Sequence, residues 1–347
     1  MRAWITRSWL LALGLTCFAT SSARAQAVVP GTGNKILNAG DDFEDPKWLY
    51  HPNNPKSSEE DDEKPRYPMG FSANNRWFEG VKRGHPDTVK RVDTPPGGLE
   101  GSKGSLFMQT VNSGIPGRRT NKQMQDDFVA NTVSRVGGML SVSRKPNVVC
   151  RVYMPPFEEW ENRTGNSFGF RIACRGTPTR ETKSEYKNGD GTETYWPGFF
   201  VWFNSENAQR KVVDSANFII RGGSMGHDMR GPAITPGWWT LGISCSPDGM
   251  IHYYAKAGLE DLTEQDRIQS QFPYGYRCTH FETFFFNVLS FDNGSTKSTA
   301  WVVDDPAVYY DAPKNIKGQP VQPQGTRVTQ RAPTTGTQTK KNQAGNR

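Results

Sequence analysis

The chain has 347 residues, enough for one large or two ordinary domains. Its 35 glycines, 24 prolines, 19 phenylalanines, 11 tyrosines and 10 tryptophans exclude a helical bundle or coiled coil, which would draw on Ala, Leu, Glu and Lys. The net charge of +7 sits at the ends: residues 1–25 hold three positives and residues 313–347 seven, neither with an acid, which leaves −3 for residues 26–312. That removes the charge argument for a nucleic-acid partner, which needs a basic face on the fold itself.

Residues 1–25 read as a secretory signal. Arg2 and Arg7 precede an apolar stretch from Trp9 to Ala19, and Ala23-Arg24-Ala25 supplies small residues for cleavage before Gln26. The expected address is secreted, periplasmic or cell-envelope. No later run of eighteen apolar residues occurs, so no membrane span is expected after cleavage. Residues 26–40 read as a leader and 41–312 as one folded domain. His51 to Pro68, with its prolines and the acid run Glu59 to Glu63, reads as a loop with a solvated acidic face.

Alternation then predicts strands. Val148 to Met154 places Val148, Cys150, Val152 and Met154 on one face. Ser167 to Cys174 turns Phe168, Phe170, Ile172 and Cys174 inward, with Arg171 and Arg175 outward. Trp196 to Phe203 is apolar on both faces, as a covered central strand would be. A hairpin joins Trp239–Cys245 to Met250–Ala255 through Ser246-Pro247-Asp248-Gly249, in which Pro and Gly suit the turn positions they occupy. Phe281 to Leu289 and Trp301 to Val303 add two more strands. Leu259 to Ser270 reads as a short helix with Leu259 and Leu262 inward. Many short strands between Gly/Pro turns predict an all-β antiparallel sandwich of two sheets. From residue 313 the chain is rich in Gln, Thr, Pro and Lys/Arg, which predicts a disordered basic tail able to contact an anionic surface.

Cys17 leaves with the signal, so Cys150, Cys174, Cys245 and Cys278 remain, with three possible disulfide connectivities. Buried thiols fit the same positions equally well. With no CxxC and no zinc-type Cys/His spacing, a structural metal of that kind is not expected.

Asp42-Phe43-Glu44-Asp45 with Trp48, the Gly237 to Tyr254 hairpin, and Trp301-Val302-Val303-Asp304-Asp305 together resemble the concanavalin A-like lectin/glucanase superfamily. The resemblance covers about residues 40–312 and implies a jelly roll with its first and last strands side by side. It also implies a concave sheet face able to hold a glycan. The same ends resemble calcium-containing jelly-roll carbohydrate-binding modules. Glu44, Asp45, Asp304 and Asp305 are the candidate ligands of a structural Ca2+, a cation that prefers carboxylate oxygens.

Three functions remain open on such a fold. The leading expectation is lectin-like binding of an extracellular or cell-wall polysaccharide, with Trp196, Trp202, Trp238 and Tyr253 as stacking platforms for sugar faces. The alternative is a polysaccharide lyase or glycoside hydrolase. The carboxylate spacing of a laminarinase-like hydrolase is absent, whereas a lyase would draw on Arg151, Tyr153, Arg171, His227 and His252 to neutralise a uronate and move protons. The third is a non-catalytic structural envelope protein.

Overall fold

The computed structural model describes residues 27–179, 191–206, 213–223, 225–315, 317 and 319–323. Residues 1–25, read as a signal, and the part of the basic tail beyond residue 323 lie outside the described residues. Nineteen strands are found among those described. They are β1 (Asn34–Gly40), β2 (Tyr50–His51), β3 (Phe71–Ser72), β4 (Trp77–Glu79), β5 (Thr88–Asp93), β6 (Gly104–Gln109), β7 (Gln123–Ala130), β8 (Leu140–Ser141), β9 (Asn147–Met154) and β10 (Gly165–Pro178). The remainder are β11 (Glu193–Tyr195), β12 (Gly198–Asn204), β13 (Ser215–Ile220), β14 (Met229–Ile234), β15 (Gly237–Cys245), β16 (Ile251–Ala257), β17 (Arg267–Gln271), β18 (Tyr276–Phe291) and β19 (Trp301–Tyr310).

They form the two-sheet antiparallel jelly-roll sandwich expected. The smaller sheet runs β17-β16-β15-β9-β19-β6-β5, with β1 also on β19. The larger runs β14-β13-β12-β10-β18-β7-β4-β3-β2, with β11 on β10 and β8 on β18. Its spine is the antiparallel pair β10 and β18, matched as Phe168↔Val288, Phe170↔Phe286 and Ile172↔Phe284. All six of these side chains are buried. Across the core they meet Val148, Cys150 and Val152 of β9 and Leu241 and Ile243 of β15. Aromatic rings fill the gap between sheets: Trp77 stacks on Phe128 with centroids 4.9 Å apart, and Phe168 lies 4.8 Å from Trp301. Each fully buried ring removes a large apolar area from water, worth roughly 1.5–3 kcal/mol.

Three local expectations are corrected. Residues 34–40, read as leader, form β1 and pair with the last strand through Asn34↔Tyr310 and Gly40↔Ala307. The sandwich therefore begins inside that segment, with first and last strands adjacent. Residues 259–270 do not form a helix: a single 3-10 turn, Glu264–Asp266, carries a Thr263/Asp266 capping box. Arg267–Gln271 then pairs with β16 as an edge strand, because one turn of helix gains too little to compete with a ladder on an open sheet edge. Finally, Trp196 precedes its strand, which begins at Gly198 after Pro197.

Candidate functional site

The outer face of the larger sheet is built by the residues that alternate with the core. On β10 these are Gly169 and Arg171, on β12 Phe200 and Trp202, on β18 Phe285, Asn287 and Leu289, on β7 Gln125 and Asp127. The ladder aligns them in rows. One row crosses five strands as Ile219, Phe200, Gly169, Asn287 and Asp127. The next places Arg171 between Gly198 and Phe285. Glycine is required in both rows. A Cβ on Gly169 would stand 2.6 Å from Asn287 Oδ1 and 2.9 Å from the Phe200 ring, and one on Gly198 would stand 2.4 Å from Arg171 Cγ.

Above these rows lies a cleft of about 240 Å³ lined by Glu60, Lys82, Arg83, Gln123, Gln125, Asp127, Asn166, Arg171, Trp196, Phe200, Arg221, Phe285 and Leu289. Four cations against two acids give it an excess of positive charge, on a domain that is net negative. Arg171 is held flat: its Nε and Nη2 donate to the Trp196 carbonyl at 3.1 and 2.8 Å, and its guanidinium lies 5.6 and 5.3 Å from the centroids of Phe200 and Phe285. Arg221 covers the Phe200 ring at 5.2 Å and pairs with Asp228 at 3.4 Å. Lys82 Nζ sits 4.9 Å over the Trp196 ring, and Arg83 pairs with Glu60. Cation–π contacts of this kind contribute about 0.5–2 kcal/mol each and preorganise the cations.

Asp127 forms one end of the floor. Its Oδ1 accepts from Gln125 Nε2 at 2.9 Å and Asn287 Nδ2 at 2.6 Å. Burial raises its pKa, against the opposing pull of Arg83 and Arg171. The same cavity lowers the pKa of Arg171 through desolvation. Asn287 is fully buried and its Oδ1 has no hydrogen-bond partner. It leans over Gly169, beneath the cleft rather than in its lining. Behind the floor, Lys56 Nζ donates to Asp126 at 2.8 Å, to Asp87 at 2.9 Å and to the His85 carbonyl at 3.2 Å. Burial pushes Asp126 up to about 7, with Lys56 opposing. That network ties residues 56–58 and 85–87 to β7, and the Asp127 amide donates to the Gly84 carbonyl at 3.2 Å. Lys82 and Arg83 are thereby anchored at the rim.

Of the sequence-selected residues, the structure brings together Arg171, Trp196 and Trp202. Trp202 stands on the same face as Phe200 and lines an adjoining hollow with Asn204, Asn217 and Arg230. Its indole donates to Asn204 Oδ1 at 2.9 Å. The others lie elsewhere. Tyr253 is in the core beside Phe199, because β16 turns Ile251, Tyr253 and Ala255 inward. Trp238 is on the smaller sheet, buried beneath the 95–98 turn, with its indole donating to the Pro96 carbonyl at 3.3 Å. Neither offers an open ring to a sugar. Arg151 and Tyr153 share that sheet: Arg151 pairs with Asp261 at 3.0 Å and Asp305 at 3.5 Å, and Tyr153 packs on Trp238. His252 is buried between Ser270 and Ser246 at 2.7 and 2.9 Å, its pKa pushed down to about 4 by burial and by Arg267. His227 is exposed in the 222–228 loop. These five candidate acid–base and charge-neutralising residues do not converge.

The four terminal carboxylates are each engaged by protein groups. Glu44 accepts the Lys103 amide at 3.0 Å, and Asp45 the Lys47 amide at 2.9 Å. Asp304, buried and pushed up to about 6 by that burial, accepts from Ser102 at 2.9 Å and from the Asp305 amide. Asp305 pairs with Lys35 at 3.2 Å. Among the described residues they form no cluster of three potential ligands; the only such group is Cys174, Cys245 and Cys278.

No family model and no curated protein sequence matches the chain. Solved structures do resemble it in part. A conserved carbohydrate esterase from Shiga toxin-encoding bacteriophage phi24B aligns over 69% of this chain and 91% of its own, with 9% identity and a TM-score of 0.36. The marine PL7 alginate lyase AlyA1 from Zobellia galactanivorans covers 59% and 77%, with 12% identity and a TM-score of 0.33. An endo-β-1,4-glucuronan lyase from Trichoderma reesei covers 67% and 94%, with 11% identity and a TM-score of 0.31. Values this low leave the site to be read from its own side chains.

Proposed function

We propose that this chain is an exported, lectin-like protein that binds an acidic polysaccharide of the cell wall or extracellular matrix along the cleft of the larger sheet. The observation that carries this reading is the convergence of Lys82, Arg83, Arg171 and Arg221 with Trp196 and Phe200 in one cleft. Guanidinium groups suit carboxylates because their fork of donors matches two oxygens. The half-buried Trp196 ring beside them suits the C–H face of a sugar unit, Phe200 being buried beneath the two guanidinium groups, and the amides of Gln125 and Asn166 in the lining suit hydroxyls. Trp202 extends the platform beyond the cleft, as a chain longer than one sugar would need.

A uronate lyase on the same face is the second reading, favoured by Asp127. A carboxylate whose pKa is raised beside cations that would neutralise a substrate carboxylate is placed to take a proton from the adjacent carbon. Elimination would then form the carbon–carbon double bond as the C–O bond to the leaving sugar breaks, the glycosidic oxygen taking a proton from water, and would leave an unsaturated sugar. Co-sedimentation with insoluble or gelled uronates, read alongside the ultraviolet absorbance of unsaturated products, separates the two. Binding without absorbance is expected. Growth of absorbance that Asp127→Asn abolishes would replace the lectin with the lyase, and no binding to any acidic polysaccharide would remove both.

A further inference from the structure

Cys174 of β10, Cys278 of β18 and Cys245 of β15 are far apart in the chain and belong to both sheets, yet their sulfurs all lie within 4.8 Å of one another. All three are free thiols and buried in the core. Tyr195 stands beside Cys174 in register on β11, and its hydroxyl is buried with no hydrogen-bond partner. The fourth described cysteine, Cys150, is buried on β9 outside this group.

Three mutually adjacent sulfurs do not match the needs of a single disulfide. A bridge uses two of them at about 2 Å and strands the third. They do match a trigonal ligand set: three metal–sulfur bonds of about 2.3 Å around one ion place the sulfurs roughly 4 Å apart, inside the observed spread. We propose that Cys174, Cys245 and Cys278 form an interior site for a soft d10 metal ion, zinc(II) or copper(I), that ties the two sheets together, with the Tyr195 hydroxyl positioned as a neighbouring fourth donor. Thiolate ligands select such ions over calcium or magnesium. Each ligating sulfur gives up its proton as the ion binds, so three protons are released and the filled site carries −1 with zinc(II) or −2 with copper(I), a residual charge that an apolar core tolerates better for zinc(II). Its role is structural: the sheets are separate ladders here, and one ion would join β15 to β10 and β18.

The test uses the full chain, purified without chelator and reduced, then incubated with Zn2+ or with Cu+ and freed of excess metal by gel filtration. One equivalent per chain is expected by elemental analysis, with a higher Tm than the metal-free chain. Replacement by Co2+ is expected to produce sulfur-to-metal charge-transfer absorption. Cys245→Ser is expected to retain less than a tenth of an equivalent, whereas Cys150→Ser keeps the full complement. The Co2+ spectrum of the unaltered chain keeps the test decisive even if Cys245→Ser does not fold. Three outcomes would overturn the site: no metal retained by a chain whose thiols are all free, a mass two protons lighter that maps to a bridge among these three cysteines, or equal metal loss from Cys150→Ser.

Discussion

At the scale of single residues, Arg171 is the side chain on which the cleft depends most. It is fixed by two donations to one carbonyl and by two rings, so it meets a ligand with little conformational freedom left to lose. Charge-assisted bonds to a carboxylate contribute roughly 1.5–3 kcal/mol. Arg171→Ala is therefore expected to weaken binding of an acidic oligosaccharide about tenfold to a hundredfold, and Arg171→Lys to recover only part of this, as measured by titration calorimetry. His252 makes a prediction of the opposite kind, about stability rather than binding. Its folded pKa of about 4 lies below the usual value near 6.5, so the unfolded chain binds the proton more readily. The contribution is fully present above about pH 6.5 and is lost as pH falls through 4, up to roughly 3 kcal/mol. Asp304, raised to about 6, acts with the opposite sign: its contribution is present at low pH and lost as pH rises through 6. The comparison is therefore between His252→Gln and the parent. Thermal unfolding between pH 7 and 4.5 is expected to show a smaller drop in Tm for the variant, and equal drops would contradict the assignment.

At the scale of elements, the site is a product of register. β10 has Gly169 where Phe200 and Asn287 of its neighbours lean across, and the row continues to Asp127. Gly169→Ala would force those two side chains aside, at a cost of about 1–3 kcal/mol, as overpacking usually does. Its Tm is expected to fall by a few degrees and its affinity with it, whereas Leu37→Ala, which trims an exposed side chain on β1 of the smaller sheet, is expected to leave the affinity unchanged. The alternation that placed Phe168, Phe170 and Ile172 inward and Arg171 outward was legible in the sequence, whereas Trp196 to Phe203, apolar on both faces, did not show which face carries Phe200 and Trp202. Asp127 was not, because Gln123-Met124-Gln125-Asp126-Asp127 of β7 shows no apolar alternation: Asp126 faces inward and is satisfied there by Lys56 and Thr110. Tyr253 misled for a different reason. Tyr253 and Tyr254 are both buried, the latter under Leu262 with Val149, so both faces of β16 are covered and parity alone does not tell them apart. The sulfur group was equally hidden, since Cys174, Cys245 and Cys278 are spaced by strand pairing rather than by a local motif.

For the whole molecule, the distribution of charge matters more than its total. The folded domain is slightly acidic, yet four of its cations, Lys82, Arg83, Arg171 and Arg221, meet in one cleft beside aromatic rings, while the chain end from residue 313 holds seven further positives and no acid. On the proposed reading both regions would attract polyanions by charge, but only the cleft combines charge with a ring and amides. Attraction to the end alone would be screened as the Debye length shrinks from about 10 Å at 0.1 M salt to about 3 Å at 1 M, whereas partly buried groups are screened less. The most direct measurement is affinity electrophoresis of the full chain beside its Arg171→Ala/Arg221→Ala variant, which keeps the same basic end. Gels would contain a uronate polymer or a neutral glucan, at low and high salt. The parent is expected to be retarded in the uronate gel, to keep part of that retardation at high salt, and to run freely in the neutral gel, with the variant losing most of the salt-resistant part. Equal retardation of parent and variant, or retardation by the neutral polymer alone, would contradict an acidic-polysaccharide site in this cleft.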